Sequence, residues 1–183
     1  MITIEQLKAA LPSANMGNIL RFYSPLIQTM EKFEINTPAR QAAFLAQLAH
    51  ESGSLRYVRE LADGIAYEGR KDLGNTQPGD GSKFKGRGLI QITGRTNYEL
   101  VGKALNYDFI ANPTHLELPG AAAMSAGWFW KSKGLNELAD KNTEEAFLLI
   151  SKRINGVNKK TGLPNGWEDR LKHWKVIKQV LHA

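Results

Sequence analysis

The chain has 183 residues, a formal net charge of +6, 42% hydrophobic residues and no cysteine. Its length is enough for one domain with a substantial core, and the missing cysteines exclude disulfide scaffolding and thiolate chemistry. The basic balance points to anionic surroundings such as nucleic acid, anionic lipid or an acidic cell wall, without choosing among them.

The amino-terminal stretch "MITIEQLKAALPSANMGNIL" lacks the basic region followed by an apolar run that marks a cleaved signal. The longest near-apolar run, "LPGAAAMSAGWFW", is too short to span a bilayer. The reading is a single domain over residues 1–183, with no internal repeat and no linker leading to a separate wall-binding module.

Helical periodicity predicts helices near 3–10, 18–33, 38–52, 97–105, 119–132, 143–154 and 167–181, a mainly α chain. Expected start signals are Thr37 before Pro38, the box Thr96-x-x-Glu99 and Asn142-x-x-Glu145, and Gly134 after Lys131 and Lys133 is a stop. Between Ser52 and Ser82 the glycines, "NTQPGDGS" and scattered charges predict a long irregular segment, a kind of loop that is more often functional than idle.

With Thr37 as cap, Gln41, Phe44, Leu48 and Glu51 fall on one helix face, so Glu51 points where Phe44 and Leu48 point. Partial burial and the negative end of the helix dipole both disfavour the ionised carboxylate, which suits a general acid. The position alone equally fits a carboxylate that binds backbone groups at a helix end.

Glu60 follows nine positions later, and the Ser52-Gly53-Ser54 break lets the chain fold back towards Glu51. Its neighbours Arg56, Arg59 and Asp63 form a polar setting expected to keep it ionised. Two carboxylates in unlike surroundings are the acid and base pattern of glycoside hydrolysis. Glu68 is the rival second carboxylate.

In "FKGRGLIQITGRTNY", Leu89, Gln91 and Thr93 alternate with Ile90 and Ile92, which predicts a short strand with Gln91 and Thr93 on its polar side. An amide and a hydroxyl on a rigid element suit sugar hydroxyls or an attacking water. Gly86 and Gly88 allow close backbone approach.

Taken together, "TPARQAAFLAQLAHESG", "FKGRGLIQITGRTNY", "RINGV" and "WEDRLKHW" resemble glycoside hydrolase family 19, the plant-type chitinases, and especially its bacteriophage endolysin branch. The resemblance spans about residues 37–175. It implies a lysozyme-like, two-lobed helical fold with a small β-strand or hairpin element at the cleft, an inverting mechanism and no metal or other cofactor. It places the acid on Glu51, the base on Glu60, water and sugar contacts on Gln91, Thr93 and Asn97, a sugar contact on Asn155 and a functional role on Arg170. Val157 stands where family members commonly have a second glycine.

The function so implied is a phage or prophage endolysin, a muramidase that cuts the β-1,4 bond between N-acetylmuramic acid and N-acetylglucosamine in peptidoglycan. The expected setting is a monomer made in the bacterial cytoplasm. It would act at the periplasmic wall without inserting into the membrane, released by a holin-type membrane protein. Rival readings are a chitinase on the same fold, a lytic transglycosylase, whose Glu-Ser and Gly-Leu-Met-Gln-Ile elements "ESG" and "GLIQIT" also resemble, and an inactive wall-binding protein.

Nucleic acid is the weakest partner, because no recognisable nucleic-acid motif is present. His50, His115, His173 and His182 are scattered, and "HESGS" lacks the second histidine of a zinc-binding H-E-x-x-H. His50, beside the acid, is a candidate site residue through hydrogen bonding. Trp128, Phe129 and Trp130 read as core. The apolar stripe of the basic carboxyl-terminal helix, Leu171, Trp174 and Ile177, reads as a docking face.

Overall fold

The computed structural model describes residues 2–183. Among them nine α-helices follow in order: α1 (Ile4–Ala10), α2 (Met16–Lys32), α3 (Pro38–Glu51), α4 (Asp80–Lys83), α5 (Arg95–Leu105), α6 (Pro119–Ser132), α7 (Leu135–Ala139), α8 (Glu144–Asn155) and α9 (Trp167–Leu181). Single turns of 3₁₀ helix at Ile65–Tyr67, Lys71–Leu73 and Pro113–Glu117 punctuate the connections. The result is the expected lysozyme-like helical fold, with the long irregular segment between α3 and α4.

Helix α3 forms the centre. Thr37 caps it by accepting a hydrogen bond from the Arg40 N–H at 3.2 Å, and Pro38 starts it where a missing N–H costs nothing. Every residue from Gln41 to Ala49 is buried, so α3 is enclosed all round rather than carrying one apolar face. Phe44 meets the edge of Trp130 from α6 at a centroid distance of 5.3 Å. Fully burying a ring of that size stabilises the fold by roughly 2–3 kcal/mol.

Helix α9 packs along α3 and touches α1 and α8. Its Leu171, Trp174 and Ile177 are buried as the stripe predicted, and Trp174 stacks on Phe147 of α8 at 4.8 Å. Trp130 is fully buried and donates its indole N–H to Asn136, while Trp128 and Phe129 pack half-buried against the core. The "WFW" cluster is therefore core.

Three local expectations are corrected. Helix α5 begins after Gly94, so Thr96 lies inside it and Glu99 pairs with Lys103 instead of closing a capping box. The cap of α8 is Thr143, which accepts from the Ala146 N–H; Asn142 precedes it in a left-handed conformation. The strand predicted across residues 89–93 is a tight turn, and the expected hairpin shrinks to the paired residues Arg87 and Ile92, with Arg59 bridging Arg87 on the other side. Leu89, Ile90 and Ile92 are all buried there, because a turn wedged into the core hides apolar residues of both parities.

Candidate active site

Glu51 is the last residue of α3, and the chain reverses immediately after it. The Ser52 hydroxyl donates to the Leu48 carbonyl at 2.6 Å and accepts from the Leu55 N–H at 2.8 Å. Gly53, Ser54 and Leu55 then take positive φ values of 57°, 57° and 65° in succession. For serine and leucine this costs on the order of 1–2 kcal/mol each, and burial of both side chains holds the turn in place. The reversal carries residues 58–60 back against 86–88: Glu60 N–H donates to Gly86 O and Gly88 N–H donates to Val58 O, both at 2.9 Å.

Behind Glu51 lies a buried polar chain. Arg170 of α9 is fully buried and reaches the Glu51 carboxylate through Nη2 at 2.5 Å. Its Nη1 donates to the side-chain oxygen of Gln47 at 2.5 Å, and its Nε to the Asn165 carbonyl at 3.0 Å. Gln47 in turn donates to Ser151 at 2.7 Å, and Ser151 to the Phe147 carbonyl at 2.9 Å. A guanidinium has only donors, so the direction of every bond in the chain is fixed. Glu51 thus faces a cation held at bonding distance, a partner that its position in the sequence does not show.

Glu60 sits in different surroundings. The Tyr67 hydroxyl donates to its Oε1 at 2.9 Å, and the Gly86 N–H to its Oε2 at 3.1 Å. Neither Arg56 nor Arg59 pairs with it, contrary to the setting inferred from sequence; Tyr67 is the partner instead, and burial together with the Glu60 contact pushes the Tyr67 hydroxyl above its ordinary value of 10.0. Gly86 is a spatial necessity here. A Cβ on it would lie 2.8 Å from Oε1 of Gln91 and 3.2 Å from Oε2 of Glu60, so both side chains crowd the space a larger residue would fill.

Gln91, Thr93 and Asn97 form a series of side-chain to backbone bonds. The Gln91 amide donates to Gly88 O at 3.0 Å, the Thr93 hydroxyl to Gln91 O at 2.9 Å and the Asn97 amide to Thr93 O at 2.7 Å. Buried Arg87 fixes this turn through Glu117 and the Tyr98 hydroxyl, at 2.8 and 2.9 Å. Burial pushes Tyr98 up to about 12, so it stays protonated at any physiological pH. Glu68 has a bracing position: its two oxygens accept from the N–H groups of Gly79 and Gly81, both at 2.7 Å.

Asn155 and His50 take parts adjacent to Glu51 and Arg170. The Asn155 side-chain oxygen accepts from the Asn165 N–H at 2.9 Å, which steadies the residue whose carbonyl holds Arg170. His50 turns towards α9, where its Nδ1 lies 2.7 Å from the Asp169 carboxylate and its ring fills the space in which a Gly166 side chain would sit. It lines a cavity of about 380 Å³ together with Asp169, Lys172 and His173. Gln47, Ser151, Asn165 and Tyr67 were not anticipated from sequence. Gln47 carried a signal, a polar residue one helical turn before Glu51 in an otherwise apolar run; Tyr67 carried none.

A helical frame with a carboxylate at the end of a buried helix and a second on the returning loop defines a class, the lysozyme-like glycoside hydrolases. Residues 32–143 match the sequence model of the family described as chitinase class I. A glycosyl hydrolase family 19 domain-containing protein of Haemophilus influenzae is 31% identical over 85% of this chain and 86% of its own length. The endochitinase At2g43610 of Arabidopsis thaliana is 35% identical over 73% of this chain but only 45% of its own length. This chain belongs to glycoside hydrolase family 19 and is a glycoside hydrolase.

Solved structures agree on the fold. A bacterial family 19 chitinase superposes with a TM-score of 0.77 at 27% identity, covering 98% of this chain and 94% of that one. Chitinase C from Streptomyces griseus HUT6037 superposes with a TM-score of 0.79 at 24% identity, over 100% and 77%.

Proposed function

We propose that this hydrolase is an inverting muramidase of the endolysin type, which cuts the β-1,4 bond between N-acetylmuramic acid and N-acetylglucosamine. The observation that carries the mechanism is the contrast between the two carboxylates: Glu51 against Arg170 at the end of a buried helix, and Glu60 held by a phenol and a backbone N–H beside Gln91. Protonated Glu51 gives its proton to the glycosidic oxygen as the bond to the anomeric carbon breaks. Glu60 takes a proton from the water that attacks that carbon from the opposite face, so the new hydroxyl appears with inverted configuration. Arg170 then stabilises the carboxylate that Glu51 has become, and exchange with solvent returns the proton from Glu60 to Glu51.

Thr93 and Gln91 position the water and the sugar, Asn97 and Asn155 contact sugar groups, and His50 aligns the end of α3 from behind through Asp169. Glu68, whose two oxygens accept from the N–H groups of Gly79 and Gly81, braces the loop, and Glu60 serves as the base in this reading. The net charge of +6 favours encounter with a polyanionic wall. In this reading the enzyme is a monomer made in the bacterial cytoplasm that reaches the wall after a holin-type protein permeabilises the membrane. Among the described residues no helix is long and apolar enough to cross a membrane itself.

A second reading, a chitinase, is favoured by the names of the relatives, which include plant endochitinases. Digestion of purified peptidoglycan and of chitin by the protein and by its Glu51→Gln and Glu60→Gln variants separates the two. Reducing-end N-acetylmuramic acid products, abolished in both variants, are expected. Anhydro products that survive Glu60→Gln would make it a transglycosylase, and products from chitin alone would make it a chitinase.

A further inference from the structure

We propose that Arg56 and Arg59 form a carboxylate-binding subsite on the rim of the cleft, which takes the stem-peptide carboxylates of peptidoglycan; this rests on the peptidoglycan reading above. The first observation concerns how arginines are used in this molecule. Of the nine, five form ion pairs with carboxylates, and Arg21 and Arg153 donate to the carbonyls of Glu117 and Lys133. Arg56 and Arg59 are exposed, and their guanidinium groups donate to no other described residue. The Arg56 guanidinium lies over the Tyr57 ring at 5.1 Å, a contact that orients its plane while leaving the N–H edge open.

Their position is the second observation. The Arg56 N–H donates to Ser52 O at 3.0 Å, which holds it one turn beyond Glu51. Arg59 immediately precedes Glu60, on the segment bridged to Arg87. The acids nearby leave both guanidinium groups free: Glu60 is taken by Tyr67 and Gly86, and Asp63 accepts from the Ile65 N–H at 2.9 Å. Two guanidinium groups without a hydrogen-bond or ion-pair partner among the described residues are therefore carried by residues close in the chain to the two candidate catalytic carboxylates.

The chemistry selects the ligand. A guanidinium presents a fork of donors that matches a carboxylate with two parallel hydrogen bonds. Chitin offers hydroxyl and acetamido groups and no charge, whereas peptidoglycan strands carry carboxylates on their peptide stems. The pair therefore favours the charged polymer over the uncharged one.

The test compares kcat/KM on soluble, stem-bearing glycan chains with kcat/KM on the same chains after their carboxylates are amidated. The expected preference of the wild-type protein for unmodified chains is about tenfold at low ionic strength, and it shrinks as salt is added. In the Arg56→Gln/Arg59→Gln variant the ratio falls towards one. An Arg56→Lys/Arg59→Lys variant, which keeps charge but loses the fork, gives an intermediate ratio and carries the test should the glutamine pair disturb folding. An unchanged ratio in variants that still cleave the chains overturns the subsite alone. A wild-type protein that cleaves chitin and neither form of peptidoglycan overturns the muramidase reading, and the subsite with it.

Discussion

At Gly86 a single hydrogen atom leaves room for two functional side chains. A Cβ there would meet the Gln91 amide oxygen at 2.8 Å, closer than real Cβ contacts come, and the Glu60 carboxylate at a tight 3.2 Å, and Gly86 also supplies an N–H to that carboxylate. Gly86→Ala is therefore expected to displace Glu60 or Gln91 by a few tenths of an ångström. Since misplacing reacting groups by about 1 Å costs roughly a hundredfold in rate, kcat/KM should fall by about threefold to tenfold while the melting temperature changes little. A variant that keeps full activity would show that Glu60 and Gln91 need not share this space. The need for a small residue was legible in the sequence, because Gly86 and Gly88 bracket the informative turn. Which side chains exploit it was not, for Glu60 arrives from 26 positions away.

At the scale of elements, α3 and α9 are joined through their polar atoms as much as their apolar ones. Gln47 is fully buried and bonded on both sides of its amide, to Arg170 and to Ser151. Gln47→Leu preserves volume and leaves one guanidinium nitrogen and one hydroxyl without those partners. Leaving buried polar groups unsatisfied costs about 1–3 kcal/mol each, more where a charge is involved, so urea unfolding should show a loss of about 2–4 kcal/mol. With one of its three tethers gone, Arg170 should also hold Glu51 less firmly and kcat should fall more than KM changes. If kcat survives an equal loss of stability, the chain is only a structural fastening.

The long helices were legible because periodicity and caps such as Thr37-Pro38 are local information. The two short helices α4 and α7 were missed, being held by what surrounds them: Asp80 of α4 is fastened by Arg95, and Gly134 starts α7 in the same left-handed turn that stops α6. The supposed strand at 89–93 failed for a related reason. Alternation of polar and apolar residues is the same in a turn and a strand, and what decided the turn was the left-handed Gln91 together with the Arg87–Ile92 pairing. The Glu51–Arg170 contact, 119 positions apart, was given its two residues by family resemblance and its geometry only by the fold.

For the whole molecule, charge makes stability depend on pH in a definite direction. Burial pushes His173 below its ordinary value of 6.5, with Asp169 pulling the other way and His50 and Lys172 adding to the depression. The Arg95 guanidinium holds the Asp80 carboxyl below 3.8, and Arg40 does the same for Asp140. In all three cases the folded value lies below the unfolded one, so the native state binds protons less readily than the unfolded chain. Each contribution is complete above the unfolded value and is lost as pH falls through the folded one. Melting temperature should therefore decline in two stages, the first below about pH 6.5 from His173 and the second below about pH 3.8 from the paired aspartates. The second is steepened because a molecule already at +6 gains further positive charge as its carboxylates protonate. His173→Gln should remove the first stage and leave the second; a variant whose melting temperature still declines equally between pH 6.5 and 5 would place that stage on another group.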